Sequence, residues 1–354
     1  MTSRYLTWQR SDAAWSLLLA AALLAGALLP SNDYYLNLMV LTLLYAGLAS
    51  AWNIVGGMAG QFSLGHTAFV GIGAYTSTVL FNYAGISPWL GMLAGAALSM
   101  LLAVCIAFPT FRMRGVFFAM ATLAFSETVR ILLIYSRKFV DLPYGLSIDF
   151  QPGLARMVFA DRVSYVWLAG GYLVLVLAAA FVLSRSFVGF YLRAIRDNED
   201  AAEATGVPVR RYKLLALLVS AAFSAIGGTL MAQYVMYIEP GTVFTVALSV
   251  DLALMSILGG VGTLAGPVLG AAIALPFREF LVEVFGDAAS GTHLVVYGLL
   301  LIVIVVLLPQ GLLGGLRSLL ARFSPQRRRA AETPAGAARP GVARPGVATK
   351  AGEL

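Results

Sequence analysis

Charge is scarce in this sequence. Asp, Glu, Lys and Arg together make up 12% of its 354 residues, about half the roughly 25% of soluble domains. Cysteine and histidine are scarcer: Cys105 stands alone, and His66 and His293 are the only histidines. One cysteine excludes an internal disulfide. Two distant histidines and one cysteine cannot build a dedicated Cys/His metal site, so no metal ligands are assigned. The same shortage leaves no nucleophile–His–carboxylate grouping, so no catalytic residues are assigned and the chain does not read as an enzyme. The pattern Gly-x-x-x-x-Gly-Lys-Ser/Thr occurs nowhere. The chain therefore has no P-loop nucleotide site, and no cofactor bound by this chain is expected. Its basic residues flank apolar runs and form no stacking patch with aromatics, which argues against nucleic acid as a partner.

Apolar residues are in excess. They make up 60% of the chain, with a mean hydropathy of +0.84. One soluble core cannot hide that much apolar surface, and a lipid bilayer is its natural solvent. A spanning helix needs about 20 mostly apolar residues. Ten stretches qualify: 14–30, 36–55, 66–83, 88–108, 115–135, 164–184, 212–236, 246–260, 267–285 and 293–308. The sequence thus predicts an all-α polytopic membrane protein with about ten transmembrane helices. The third and eighth stretches are short and glycine-rich, so broken or re-entrant segments are expected there. The first stretch follows Arg4 and Arg10 and also has the form of a signal peptide, with Ala25-Gly26-Ala27 as a cleavage site; its retention as a membrane helix is the expectation taken forward.

Lysine and arginine placement sets the orientation. Ten spans put both termini on one side. That side receives Arg4, Arg10, Arg112, Arg114, then Arg185, Arg193, Arg196, Arg210, Arg211 and Lys213, and the arginines from Arg317 onward. Residues 1–13 are predicted as a cytoplasmic N-terminus and 14–316 as a transmembrane domain. Within it, 185–213 is a cytoplasmic loop and 136–163 an external loop of mixed charge. Residues 317–354, rich in Arg, Ala, Pro and Gly, are predicted as a disordered basic cytoplasmic tail, too polar to offset ordering entropy by burial.

Three motifs stand out. The first is Gly56-Gly57-Met58-Ala59-Gly60-Gln61-Phe62-Ser63-Leu64-Gly65-His66, running on to Gly71, Gly73 and Tyr75. Its glycines fit either close helix packing or a break that lines a solute path with Gln61, Ser63 and His66. The second runs from Gly189 through Arg193, Arg196, Asp197, Asn198, Glu199, Asp200 and Glu203 to Gly206. Asp197 or Asn198 can cap a short helix, Glu199 and Asp200 suit its positive end, and Gly206 followed by Pro208 can stop it. Such a helix is either a docking element or a solvated connector. The third, Gly259-Gly260-Val261-Gly262-Thr263-Leu264-Ala265-Gly266-Pro267, is either a tight turn or a helix start whose amides face an anion. Embedded charges are costly in spans and mark polar interiors. Glu127 and Arg130 are spaced to pair on one helix face, and Asp251, Arg278 and Glu279 fall in later spans. They can meet a zwitterionic solute or only lock the bundle. An ion-coupled carrier is a second reading of such charges and breaks.

Taken in order, the blocks 60–66, 193–206 and 259–267 resemble the permeases of branched-chain amino acid ABC transporters, in particular their LivM-type branch. The resemblance spans about residues 36 to 314. It implies an importer for branched-chain amino acids or a related small polar solute, in a bacterial inner membrane. It implies four further subunits: a homologous second permease, two cytoplasmic ATPases using ATP and Mg, and an extracytoplasmic solute-binding protein. It also implies that Gly189, Arg193, Arg196, Glu199, Glu203 and Gly206 couple the chain to an ATPase. Gln61, Ser63, Gly65, His66, Gly71, Gly73, Tyr75, Glu127 and Arg130 are assigned to the translocation pathway. One departure stands out: Val140-Asp141-Leu142 replaces the Thr-Gly-Gly run common in the family. Relatives carry urea, amides or aromatic acids, so the resemblance leaves the cargo open.

Overall fold

In the computed structural model the chain is described over residues 14, 16, 18–26, 32–140, 143–285, 292–307 and 311–315. Arg4, Arg10, Asp141, Leu142 and the predicted tail 317–354 lie outside these residues. Among the described residues the regular structure is helical, apart from one two-residue strand pair. Residues 18–26 form α1. The following helices are α2 (Asp33–Asn53), α3 (His66–Ala84), α4 (Pro88–Thr110), α5 (Val116–Val140) and α6 (Arg162–Arg185). Then come the short helices α7 (Phe187–Asp197) and α8 (Glu199–Ala204), followed by α9 (Val209–Val235), α10 (Pro240–Val243), α11 (Val246–Gly259), α12 (Gly266–Phe285) and α13 (Thr292–Leu307). Six segments among the described residues are long and apolar enough to cross a membrane: Asp33–Met58, Pro88–Thr110, Val116–Phe139, Arg162–Arg185, Val209–Val235 and Pro240–Gly259. Helices α3, α12 and α13 occupy other expected spans. Helix α3 is rich in polar and small residues, α12 carries Arg278, Glu279 and Glu283, and α13 has 16 residues.

The caps are local and readable. The Asn32 side chain accepts from the Tyr34 amide at 3.1 Å to start α2. Asp161 accepts from the Ser164 hydroxyl at 2.8 Å and amide at 2.9 Å to start α6, and these two hydrogen bonds hold its carboxyl below the usual range. Pro88 opens α4 at a position that needs no amide hydrogen. Gly85 closes α3 with a left-handed φ of 64°.

The third expected span differs from expectation. Helix α3 is continuous, and the interruption lies just before it. Helix α2 widens into a π-helical turn at Ile54–Met58, and residues 59–65 then run without helical structure. The eighth is short, as expected: α11 has 14 residues, and the apolar segment Pro240–Gly259 is interrupted between the single turn α10 and α11. Glycine content misplaced the break because Gly71 and Gly73 serve packing. A Cβ on Gly73 would fall 2.1 Å from the Ala225 carbonyl oxygen, and one on Gly71 2.2 Å from the Phe244 ring.

Helix α2 is central, packed on α6, α9, α11 and α12, while α3 packs on α4 and α9. The connections gather at two ends of the bundle. At one end lie the turn 111–115, α7, α8 and the turn 260–265, tied together by Arg114–Asp200 and by Arg196 on the Gly57 carbonyl. At the other lie 85–89, 143–161 and 236–245. There Leu146–Ser147 pairs antiparallel with Tyr237–Ile238, Trp89 Nε1 donates to the Leu154 carbonyl at 2.8 Å, and Arg162 donates to the Asp33 carbonyl.

Candidate functional site

The segment after α6 folds into the two short helices α7 and α8. Ser186 accepts from the Gly189 amide and so begins α7. Gly189 sits where a Cβ would fall 2.3 Å from the Leu183 carbonyl oxygen, so only glycine lets α7 lie against the end of α6. Arg193 then donates to the Ser184 carbonyl at 2.9 Å and to Gly189 at 3.1 Å, covering acceptors at that helix end. Asn198 is the cap of α8, accepting from the Ala201 amide at 3.0 Å, and Gly206 ends the segment with φ 86°. Of the two capping residues open in the sequence, Asn198 fills the role.

Helix α8 is held by charge. Lys213 Nζ, on a side chain only 1% exposed, lies 2.7 Å from the Glu199 carboxylate. Arg114, from the turn between α4 and α5, reaches Asp200 at 2.5 Å, Glu199 at 3.6 Å and Glu203 at 3.9 Å. The hydrogen bond to Asp200 and the neighbouring carboxylates push the Arg114 guanidinium further toward its charged form. Asp200 and Glu203 remain 75% and 67% exposed, so the acidic edge of α8 faces outward while its base is pinned.

Arg196 points inward, toward both glycine-rich breaks. Its guanidinium donates to the Gly57 carbonyl at 3.2 Å. A Cβ on Gly60 would fall 2.7 Å from Arg196 Cγ, and one on Gly262 2.4 Å from Arg196 Nη1. Asn53 closes the arrangement: its amide donates to the Thr263 carbonyl and accepts from the Gly262 amide, both at 2.8 Å. Three motifs distant in sequence therefore meet around one arginine and one asparagine. The third motif is a turn leading into α12, with Thr263 Oγ1 accepting from the Gly266 amide at 3.0 Å.

The segment 59–65 folds back along α2. Trp52 Nε1 donates to the Ser63 carbonyl at 2.8 Å, and the Leu64 amide donates to Thr122 at 3.1 Å. His66 is fully buried. Its Nε2 lies 2.8 Å from Ser220 Oγ, whose own hydrogen goes to the Ala51 carbonyl. Nε2 is therefore the donor, and Nδ1 accepts from Ser63 Oγ at 3.1 Å. Thr67 continues this polar seam, 2.7 Å from Ser126 and with its amide donating to Ser249 at 3.1 Å. Gln61 is also buried, with no partner for Oε1 among the described residues. A Cβ on Gly65 would fall 2.7 Å from the Thr122 carbonyl oxygen.

The residues assigned to the pathway thus separate. Gln61, Ser63, Gly65, His66, Gly71 and Gly73 sit inside the bundle. Tyr75 lines a cavity of about 290 Å³ at the opposite end from α8, together with Ile72, Arg137, Tyr144 and Pro240. Glu127 and Arg130 pair on α5, Arg130 Nε lying 3.0 Å from both carboxylate oxygens, with the side chains 37% and 29% exposed. A further pair, Arg278 with Asp251 at 3.0 Å, ties α12 to α11. Both charges are legible in the sequence, but their union is not. The only signal was opposite charge in consecutive spans.

The family model described as branched-chain amino acid transport system, permease component, matches residues 34–305. The chain is 31% identical over 307 residues to the high-affinity branched-chain amino acid transport system permease protein LivM of Escherichia coli (strain K12), covering 78% of this chain and 69% of that one. It is 30% identical over 302 residues to the LivM protein of Salmonella typhimurium, with the same two shares. A more distant relative, the nucleoside ABC transporter permease protein NupC of Lactococcus lactis subsp. cremoris, is 24% identical over 216 residues, 56% of this chain and 68% of that one.

Proposed function

The chain belongs to the family of branched-chain amino acid transport system permease components, and from that premise we propose that it passes branched-chain amino acids, or a related small polar solute, inward between itself and a homologous second permease. It is a multi-pass inner-membrane permease subunit of an ABC importer. In this reading both termini and α8 lie in the cytosol, and the loop 143–161 faces the external solute-binding protein. Two ATPase subunits, using ATP and Mg, grip the segment from Gly189 to Gly206.

The observation that carries the reading is α8: a capped helix with an exposed acidic edge and a base fixed by Lys213 and Arg114. A rigid handle of this kind moves as a unit. Arg196, on the preceding helix, touches the two glycine-rich breaks, so displacement of the handle reaches the segment that holds Gln61, Ser63 and His66. Two bundle states biased by ATP closure and by loaded binding protein then follow from ordinary linkage.

A second reading of the cargo, as an amide, urea or an aromatic acid, is favoured by one observation. Tyr75 and Tyr144 line the cavity together with Pro143 and Leu146, next in sequence to the point where the chain departs from the family's glycine run.

Co-reconstitution in vesicles with the second permease, the ATPases and the binding protein tests both readings. Uptake of leucine, isoleucine or valine that needs ATP and the binding protein is expected. Replacing Arg196 and Glu203 together by alanine should leave assembly intact and uncouple ATP hydrolysis from uptake. Unchanged uptake in that double variant removes the coupling role. Binding measurements on the external protein decide between the cargo classes.

A further inference from the structure

Helix α7 leaves span α6 after a single residue, Ser186, and has two unlike faces. Gly189, Leu192 and Ile195, spaced three apart, are buried against the bundle. On the other side Phe187 is 86% exposed and Phe190 64% exposed, again three apart and so on one face. Neither phenylalanine takes part in holding α8. The helix follows α6, on which Leu175 and Val182, two turns apart, are also exposed.

The charges around it have a lipid-boundary arrangement. The Arg185 guanidinium lies 4.6 Å over the Phe181 ring. At the same end of the bundle Arg112 lies 5.5 Å over Phe108, itself exposed. Side chains of this type keep an apolar body in the acyl region and a cationic head at the phosphates. Basic groups beside the inner leaflet also gain from its anionic headgroups.

We propose that α7 is a membrane-surface helix: Phe187 and Phe190 insert among the acyl chains beside α6, with Arg185 and Arg112 at anionic lipid headgroups. Lipid is the occupant of this face, because Phe187 lies two residues from the end of a span whose Leu175 and Val182 are themselves exposed. The coupling handle α8 is thereby hung from a base fixed in the bilayer plane. The inference needs only that α6 crosses a bilayer, so it stands or falls apart from the identity of the cargo or of the ATPases.

The test uses the full chain with Cys105→Ser and one added cysteine, at Phe187→Cys, Phe190→Cys or Glu203→Cys, each carrying a small fluorophore. Vesicles of phosphatidylethanolamine and phosphatidylglycerol contain a fraction of lipid brominated in the acyl chain. Labels at 187 and 190 should be quenched by bromolipid about severalfold more than the label at 203, with the order reversed for aqueous iodide. Equal iodide quenching at all three positions, or protection of 187 and 190 only after ATPase subunits are added, would overturn the proposal. For any variant that fails to insert, the unmodified chain can be footprinted with a lipid-confined diazirine: Phe187 and Phe190 labelled and Glu203 not is expected, and the absence of label on both phenylalanines overturns it.

Discussion

Lys213 Nζ and the Glu199 carboxylate meet at 2.7 Å, the lysine 1% and the glutamate 18% exposed. The pair joins the first helical turn of α8 to the first turns of α9, fourteen residues on. An ion pair so poorly hydrated stabilises little relative to an apolar isostere, yet breaking it from one side is costly because the remaining charge stays desolvated. It fixes geometry more than it adds stability.

Lys213→Met should therefore loosen α8 with a loss of up to about 3 kcal/mol, partly relieved by Arg114. Glu199→Gln in the same chain should restore part of that loss. A thermal-unfolding double-mutant cycle in detergent, read together with proteolysis within 198–206, checks this. Additive losses would show that the two groups do not interact.

Asn198→Ala removes the cap of α8 and should cost about 1 kcal/mol. Asn198→Asp should not, since an aspartate at that position accepts the same amide hydrogen and suits the helix dipole. Hydrogen exchange of the Ala201 amide reads the effect directly.

The Glu127–Arg130 pair is half-exposed on α5, a helix whose Val116, Phe117, Met120, Leu132 and Phe139 are also exposed. Charges facing lipid are expensive, so this face needs protein or water beside it. Exchanging the two residues, Glu127→Arg with Arg130→Glu, keeps the pair and should keep the fold. If the pair lines the path, uptake should fall about tenfold or more, the effect of roughly 1.4 kcal/mol. Retained uptake assigns the pair to structure alone.

Asp161 supplies a pH dependence with a defined sign. Its carboxyl is held below the usual range by the Ser164 hydroxyl and amide, so the unfolded chain takes up a proton at higher pH than the folded one. The stabilisation is complete above the unfolded value, near about 3.9, and fades as pH falls through the lower folded value. The stability difference between the parent and Asp161→Ala should be constant near neutrality and shrink below about pH 4. A difference that persisted unchanged at pH 2 would contradict it.

What could be read in advance follows from range. Caps and stops are local, so Asn198 and Gly206 were visible within a few residues of the helix they bound. Apolar runs were visible for the same reason. The break was misplaced because glycine answers two needs alike: Gly60 adopts a φ of 68°, whereas Gly73 only admits a neighbouring backbone. Asn53 carries no local signal, being a lone amide in an apolar run whose partners lie about two hundred residues away. The His66–Ser220 contact spans 154 residues, and no pattern in a single sequence encodes a pairing of that length.

Where α3, α4 and α9 cross, the space for even one extra methyl is gone: a Cβ on Gly228 would fall 2.1 Å from the Val70 carbonyl oxygen, and one on Gly95 3.0 Å from the Gly73 Cα. Surfaces interlocked at that spacing slide past one another only by first coming apart. These three helices travel together as one wedge, and α11 with α12, where a Cβ on Gly270 would fall 1.8 Å from the Met255 carbonyl oxygen, make a second.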